Sequence, residues 1–255
     1  MKKYISIYFL LNFLMCLSFE SKAQKVVVQD EQAWFAMFNQ ARLSDKWGLW
    51  SDMHIRFKND FVKDKSLFIA PRLGLTYYVN EDVKLTAGYA FINSFADGAR
   101  TISQPEHRPW QQIQWHTKYP KIRLAQIVRL EERYRRKVKN GNELLSDYDF
   151  SNRLRYNVLF TTPLSKKGFG VGGWQFVLND EIHINFGKNI VYNTFDQNRF
   201  FMGLAYQTGK VSNIQLGYMN VFTQLAAGNQ YRNIHAVRIF YFQNFDFRKL
   251  KEVSK

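Results

Sequence analysis

One segment of the chain places charged residues at every second position. Arg129, Glu131, Arg133 and Arg135 are each two residues apart. Side chains with this spacing point to the same face of a β-strand, so we expect these four to share one face. A guanidinium pairs in a planar, two-pronged geometry with carboxylates and with phosphate. The spacing therefore predicts ion pairing, or the binding of an acidic ligand, along one side of a sheet.

Charged residues on the polar face of other alternating segments extend this set, and we assign them together to one charge lattice inside the protein. The predicted charge lattice consists of Asp52, Arg56, Arg72, Glu106, Arg108, Arg129, Glu131, Arg133, Arg135, Arg153, Arg155, Glu181 and Arg199. One interpretation is that its ion pairs fill a narrow lumen and fix the register of the strands. The other is an anion-preferring pore or a binding site for an acidic sugar or phosphate, because basic residues outnumber carboxylates on this face.

Catalytic chemistry has less support in the sequence. His54, His116 and His183 fall on polar faces, and a Ser–His pair on a barrel would suit a hydrolase that modifies lipid or lipopolysaccharide. No G-x-S-x-G motif is present, and no Cys, His or carboxylate cluster has metal-ligand spacing. We therefore assign no catalytic residue, no metal and no cofactor, and keep the hydrolase as an alternative.

The spacing of the glycines in one segment matches a nucleotide-binding motif. Residues 168–173 read G-x-G-x-x-G, but a strand pattern follows at Trp174 where the dinucleotide motif needs a helix. The segment therefore predicts a flexible turn.

Long β-strands are the elements that would position these side chains. Trp47, Leu49 and Met53 alternate with Trp50 and Asp52, and similar alternation runs through segments of ten or more residues along the chain. Globular strands average about five to six residues, whereas a tilted strand needs about nine to eleven to cross a bilayer. Long strands with one apolar and one charged face are typical of a transmembrane barrel, with the apolar faces toward lipid. A soluble sandwich or lipocalin, with the faces inverted, is the alternative.

The sequence thus predicts an all-β fold, a transmembrane antiparallel up-and-down β-barrel of about 10–12 strands with short periplasmic turns and longer external loops. Ten strands can be counted from Trp47, and residues 34–43 would form an eleventh. Single-chain bacterial barrels have even strand numbers, so we expect either a further short strand or an N-terminal segment inside the lumen. The longer loops are expected at residues 59–65, 95–105, 137–146, 187–195 and 226–232.

Two pairs of glycines suggest a repeated hairpin. Gly74 and Gly88 are 14 residues apart, as are Gly203 and Gly217, and each pair lies in a similar context of aromatic residues. Glycine and aromatic residues at matched offsets are typical of barrels built from hairpins.

The termini predict export. A basic start, an apolar run and the Ser-Lys-Ala sequence at residues 21–23 indicate a cleaved signal peptide over residues 1–23. Residues 24–46 are then an N-terminal strand or lumen segment, 47–247 the outer-membrane β-barrel, and 248–255 a basic C-terminal tail. The outer membrane of a Gram-negative bacterium is the expected location.

Composition and charge limit the class of protein and the kinds of partner that we expect. Aromatic residues make up 17% of the chain, which excludes a disordered protein. Removing residues 1–23 takes away three lysines and one glutamate, so the net charge falls from +15 to +13. Because the basic residues alternate with apolar ones and export separates the chain from nucleic acid, we expect no nucleic-acid partner. The expected partners are outer-membrane lipid, lipopolysaccharide and, during insertion, the barrel-assembly machinery, with the protein a monomer.

An ordered set of short motifs resembles a known family. They are Trp34, Pro71-Arg72-Leu73-Gly74-Leu75, Ala87-Gly88-Tyr89-Ala90, Glu106-His107-Arg108-Pro109-Trp110-Gln111-Gln112, Arg129-Leu130-Glu131-Glu132-Arg133-Tyr134, Asn152-Arg153-Leu154-Arg155-Tyr156, Asn179-Asp180-Glu181, Gln197-Asn198-Arg199 and Leu216-Gly217-Tyr218-Met219-Asn220. In this order they resemble the outer-membrane barrels of domain-of-unknown-function family 2490. The resemblance implies an outer-membrane β-barrel and supplies no activity, cofactor or catalytic residue.

The function expected from the sequence is therefore that of a non-enzymatic outer-membrane barrel, either structural or a narrow anion-preferring transport barrel. A lipid- or lipopolysaccharide-modifying hydrolase is one alternative. Adhesion or envelope scaffolding through the loops is the other.

Overall fold

The structure, a computed structural model, describes residues 25–248. The predicted signal peptide at residues 1–23 and residues 249–255 of the predicted basic tail lie outside this range. Eleven strands make up the described chain: β1 (Val26–Arg42), β2 (Trp47–Lys58), β3 (Asp64–Tyr78), β4 (Val83–Ser94), β5 (Gln104–Lys118), β6 (Arg123–Lys139), β7 (Glu143–Pro163), β8 (Trp174–Phe186), β9 (Phe195–Gln207), β10 (Ser212–Gln224) and β11 (Gln230–Asp246). Among residues 25–248 no helix is long and apolar enough to cross a membrane.

The strands close into a single barrel, which confirms the predicted all-β fold. Each strand from β2 to β11 pairs antiparallel with its neighbour in sequence, and β1 pairs antiparallel with β2. The last seam joins β1 to β11 in parallel over 17 residues of each strand, from Val26 opposite Gln230 to Arg42 opposite Asp246. Closure leaves no unpaired strand edge, so every strand finds hydrogen-bond partners on both sides.

The odd strand number corrects the expectation of an even one. Residues 26–42 are neither inside the lumen nor accompanied by a twelfth strand in the described chain, and they form part of the wall between β2 and β11. The wall therefore begins at Val26 rather than at Trp47. The parallel seam makes this possible, because it pairs the remaining edge of β1 with the remaining edge of β11 without a further strand. As a consequence, β1 starts at the opposite end of the barrel from the end of β11.

The connections differ between the two ends of the barrel. At one end, which we call the turn end, four connections have four residues each, at 43–46, 79–82, 119–122 and 208–211, and a longer one covers 164–173. At the other, the loop end, the connections cover 59–63, 95–103, 140–142, 187–194 and 225–229. Two connections at the loop end are long, 95–103 with nine residues and 187–194 with eight, while the longest connection of the described chain, 164–173 with ten residues, lies at the turn end.

One predicted long loop is a β-hairpin. Residues 137–146 were expected to form a loop, but β6 and β7 stay paired up to Lys139 and Glu143 and leave only a three-residue turn. Asn140 and Gly141 in this turn have φ angles of 50° and 76°. Asn-Gly with two positive φ angles is the sequence of the tightest hairpin turns, whose twist matches that of the flanking strands.

The predicted alternation holds along most strands, with one break in β3. Leu73 and Leu75 face outward as expected, but Ile69, which alternation places on the same face, is buried inside. The pairing register of β3 with β4 shifts between Ile69 and Leu73. An extra residue at such a β-bulge exchanges the two faces of the strand.

Ion pairs tie the last residue of β1 and the residue that follows β11 to the connections at the turn end. Arg42, the last residue of β1, contacts Glu81 at 2.7 Å, and Arg248 contacts Glu81 and Asp45 at 3.2 Å each. Hydrogen bonds from Arg42 and Arg248 lower the pKa of the exposed Glu81 carboxyl below its usual value.

Candidate functional site

The charge lattice is organised around one buried carboxylate in the middle of the lumen. Glu131 on β6 is completely shielded from solvent. It accepts hydrogen bonds from Arg153 at 2.6 and 2.9 Å and from Arg155 at 2.6 Å, and Arg108 lies 3.4 Å away. Three guanidiniums thus surround one carboxylate, and the strands that carry them, β5, β6 and β7, are neighbours in the wall.

Three further carboxylates extend the lattice on either side. Glu106 contacts Arg108 at 2.6 Å, Arg133 at 2.9 Å and Arg135 at 3.6 Å. The other two carboxylates, Glu181 and Asp196, share arginines with Glu131. Arg155 also donates to Glu181, and Arg153 also donates to Asp196. The result is a continuous network, in which charge-assisted hydrogen bonds compensate the removal of each ion from water.

Asp52 on β2 is the centre of a separate group. Its carboxylate accepts hydrogen bonds from Trp50 at 2.5 Å and Arg72 at 3.0 Å, and it lies 2.8 Å from His54. Nine of the 13 residues of the predicted charge lattice are buried, and Arg56, Arg135, Arg155 and Arg199 are partly buried. The structure divides the 13 between the Glu131 network, the Asp52 group and two arginines, Arg56 and Arg129, that contact no carboxylate of the described residues.

Those arginines stack on aromatic rings instead. The guanidinium carbon of Arg56 lies 3.4 Å from the ring centre of Trp34, and that of Arg129 lies 4.5 Å from the ring of Trp110. Within the described residues, neither forms an ion pair with a carboxylate. Arg129 donates two hydrogen bonds, at 2.6 and 2.9 Å, to the Gln112 carbonyl oxygen.

The glycine pairs of the sequence repeat make room for two of these rings. Gly74 and Gly88 are direct cross-strand partners, and so are Gly203 and Gly217. Trp110 packs on the first pair and Phe201 on the second, so close that a Cβ at Gly88 would lie 2.9 Å from Trp110. An arginine also lies against each ring: the guanidinium carbon of Arg129 is 4.5 Å from the ring centre of Trp110, and that of Arg238 is 3.4 Å from the ring centre of Phe201.

A substitution at Gly88 tests this packing. Replacing Gly88 by valine should lower the free energy of unfolding by about 1–3 kcal/mol, because a Cβ there would lie 2.1 Å from the Leu73 carbonyl oxygen. The neighbouring Ala87 points outward, so Ala87→Val is the matched control and should have little effect. Urea denaturation, monitored by tryptophan fluorescence, gives the unfolding midpoint of each variant. Equal midpoints for the two variants would contradict the assigned packing.

A cavity of about 460 Å³ occupies the half of the lumen nearest the turn end. Of the residues that the structure describes, eight cationic side chains line this cavity but only one carboxylate does, that of Glu181. The cations are Lys84, Arg56, Arg72, Arg123, Arg129, Arg155, Arg199 and Arg238. Arg108, Arg133, Arg135 and Arg153 do not line it, because they lie in the part of the network toward the loop end. The ion-paired network therefore closes the cavity on one side and leaves its wall strongly basic.

The glycine-rich segment lies at the mouth of this cavity. Residues 168–173 belong to the 164–173 connection, and β8 follows directly at Trp174, with no helix. Phe169 lines the cavity and its ring centre lies 3.7 Å from the Arg123 guanidinium carbon. The segment therefore places one aromatic ring beside the cavity at the turn end.

The three histidines of the polar faces contact carboxylate and amide side chains. His54 lies beside Asp52, and His183 lies 2.9 Å from Glu181, both inside the lumen. His116 contacts Gln114 at 3.0 Å. Within residues 25–248, no histidine hydrogen-bonds a serine or threonine hydroxyl. In the same range no group of three or more His, Cys, Asp or Glu side chains is placed to hold a metal ion.

The predicted charge lattice omits four charged residues that line the cavity or join the network, namely Lys84, Arg123, Asp196 and Arg238. Arg238 follows the alternation of β11 and could have been assigned to the inner face from that pattern. Asp196 could not, because Asp196 and Gln197 are adjacent yet both buried, next to a register shift between β8 and β9. Trp34, Trp110 and Phe201 are the rings on which arginines stack, and nothing in the sequence distinguishes them in this role from other aromatic residues.

Comparisons with known proteins agree with the sequence resemblance. The family model described as "Protein of unknown function (DUF2490)" matches residues 31–232. An uncharacterised protein of Methylorubrum extorquens is 27% identical over 238 residues, covering 91% of this chain and 96% of that protein. No solved structure matches.

Proposed function

The chain belongs to the DUF2490 family of proteins of unknown function, and we propose that it is a non-enzymatic outer-membrane barrel with a blocked, anion-preferring lumen. The observation that carries the proposal is the inversion of its faces. Ion pairs such as Glu131–Arg153 lie at the centre of the barrel, while large apolar side chains such as Leu73, 59% exposed, cover its outside. Soluble monomers rarely expose a continuous apolar surface of this kind, whereas a barrel in lipid requires one.

Aromatic side chains on the outer surface support placement in a bilayer. At the turn end, Trp47 packs against Tyr77 at 5.2 Å between ring centres, and Trp174 packs against Tyr206 at 4.8 Å. Near the loop end, exposed aromatic residues include Tyr134 and Phe150. Two bands of aromatic residues, one at each interface, are typical of outer-membrane barrels.

The orientation and the partners follow from this placement. Short turns face the periplasm in outer-membrane barrels, so the cavity of this protein would open toward the periplasm. Outer-membrane lipid and lipopolysaccharide would surround a monomeric barrel, and the barrel-assembly machinery would insert it after export. Cell fractionation tests the location. The unboiled protein should migrate as a compact, heat-modifiable band in outer-membrane fractions, and recovery as a soluble periplasmic protein would refute the proposal.

Planar-bilayer recordings test the blocked lumen. The wild-type protein should show no steady conductance, because the network inside the barrel is packed so closely that Glu106 and Glu131 are almost completely shielded from solvent. Replacing both Arg108 and Arg133 by alanine removes two long side chains, while Glu131 keeps Arg153 and Arg155 as partners. This double variant should open small channels that prefer anions, because the remaining arginines still outnumber the carboxylates.

A matched control distinguishes this effect from a general loss of charge. Arg136 and Lys139 lie on the hairpin at the loop end, and replacing both by alanine removes two positive charges outside the network. This control should stay silent. Large porin-like steps from the wild-type protein would contradict a blocked lumen, as would a double variant that remains silent while correctly folded.

A further inference from the structure

The basic cavity contains guanidinium groups whose charge no side chain neutralises. Among the described residues, Arg56, Arg129 and Arg238 line the cavity and form no ion pair with a carboxylate. The Nε atoms of Arg56 and Arg238 are shielded from solvent and have no hydrogen-bond acceptor in the protein. Because an unpaired charge removed from water is costly, such a group of cations favours the entry of an anion.

The stacking geometry leaves these guanidiniums ready to bind an oxyanion. An arginine on an aromatic ring uses the face of its guanidinium, so the N–H groups at its edge remain free to donate. Two guanidiniums lie near Trp34, that of Arg56 with its carbon 3.4 Å and that of Arg199 with its carbon 5.2 Å from the ring centre. Arg56 forms no ion pair among the described residues, and Arg199 contacts Glu181 at 3.4 Å through one of its amino groups. Two converging guanidinium groups provide the planar donor geometry that suits a carboxylate or a phosphate.

An aromatic wall lies within the same cavity. Phe38 stacks on Phe242 with 4.7 Å between ring centres and packs against Phe240 at 5.4 Å. All three line the cavity together with Trp34 and Trp50. The cavity volume of about 460 Å³ lies in the range of small-molecule sites, which is about 300–1,000 Å³. Such sites are mostly apolar and have a few directed polar groups.

We infer that this cavity binds a small organic anion, with its oxyanion group held by the arginines at Trp34 and Trp110 and its flat apolar body against the Phe38 wall. The inference deepens the proposed function by naming the class of ligand. Access would be from the turn end, where Phe169 and Arg123 lie at the mouth.

Calorimetric titration of the purified full-length barrel in a non-ionic detergent tests the ligand class. Three probes are compared: benzoate, the uncharged benzamide of the same shape, and inorganic phosphate. Benzoate should bind at least about tenfold more tightly than benzamide, because loss of a charged hydrogen-bonded contact costs about 1.5–3 kcal/mol. Benzoate should also bind more tightly than phosphate. Benzamide binding as tightly as benzoate, phosphate binding as tightly as benzoate, or no binding of benzoate would each overturn the inference.

Variants locate the site. Arg56→Gln should weaken benzoate binding at least about tenfold, and Arg129→Gln provides an independent second variant. The matched control is Arg100→Gln, which removes the same charge from the 95–103 connection at the loop end, where Arg100 pairs with Asp97. The control should bind benzoate as the wild type does, and heat-modifiable migration verifies that each variant is folded. Wild-type affinity in folded Arg56→Gln and Arg129→Gln would overturn the assigned site.

Failure of the ligand inference can be distinguished from failure of the proposed function. A barrel that reaches the outer membrane and stays silent in bilayers, yet ignores benzoate, would refute the ligand class alone. A protein that binds benzoate but is recovered in soluble form would refute the membrane placement and leave the binding site standing.

Discussion

Replacing Glu131 by glutamine is expected to destabilise the barrel by about 3–5 kcal/mol, the usual cost of leaving buried charges without their partner. Glu131 is fully shielded from solvent and contacts Arg108, Arg153 and Arg155. Glutamine keeps the shape of the side chain but removes the negative charge, so three guanidiniums would remain close together with less compensation. The measurement is the free energy of unfolding from a urea titration in detergent, in which the folded fraction is read from heat-modifiable migration.

The matched control for this substitution is Glu81→Gln. Glu81 also contacts two arginines, Arg42 and Arg248, but it does so at the solvent-exposed turn end. Exposed ion pairs contribute little to stability because water and salt screen them, so this control should leave the urea midpoint nearly unchanged. If the two substitutions lowered the midpoint equally, burial would not be what gives the central network its importance.

Replacing Leu73 by arginine should prevent stable insertion into lipid. Leu73 lies near the middle of β3, opposite Ser51 of β2 and Tyr89 of β4, and its side chain faces outward. A cation on the lipid-facing surface costs about 2–4 kcal/mol at the bilayer midplane. The folded fraction after refolding into phospholipid vesicles, read from heat-modifiable migration, measures the effect.

A lumen-facing substitution in the middle of another strand is the control. Asn157 on β7 lies opposite Ile127 and Glu181 and lines the cavity, so Asn157→Arg adds the same side chain on the inner side. We expect this variant to fold in vesicles to a greater extent than Leu73→Arg, since the cavity has room and contact with water. Equal yields would argue against lipid around the outer face.

The alternation of residue types was sufficient to predict the fold class and many of the charged side chains that face the lumen. Because successive side chains of a strand point to opposite faces, a local pattern decides which residues share a face. The inner positions of Arg129, Glu131 and Arg133 follow from this rule alone. The rule fails where a bulge adds a residue, as between Ile69 and Leu73, and such a bulge leaves no mark in the alternation itself.

Only the tertiary structure decided how the barrel closes and what its interior can do. The parallel seam between β1 and β11 brings together residues about 200 positions apart in sequence, and no local pattern encodes such a register. The same closure determines which arginines meet a carboxylate and which meet a ring. Arg153 reaches Glu131 and Asp196, whereas Arg56 reaches Trp34. The separation of a paired network from a basic cavity is thus a property of strand register, because register alone sets which side chains face one another across the lumen.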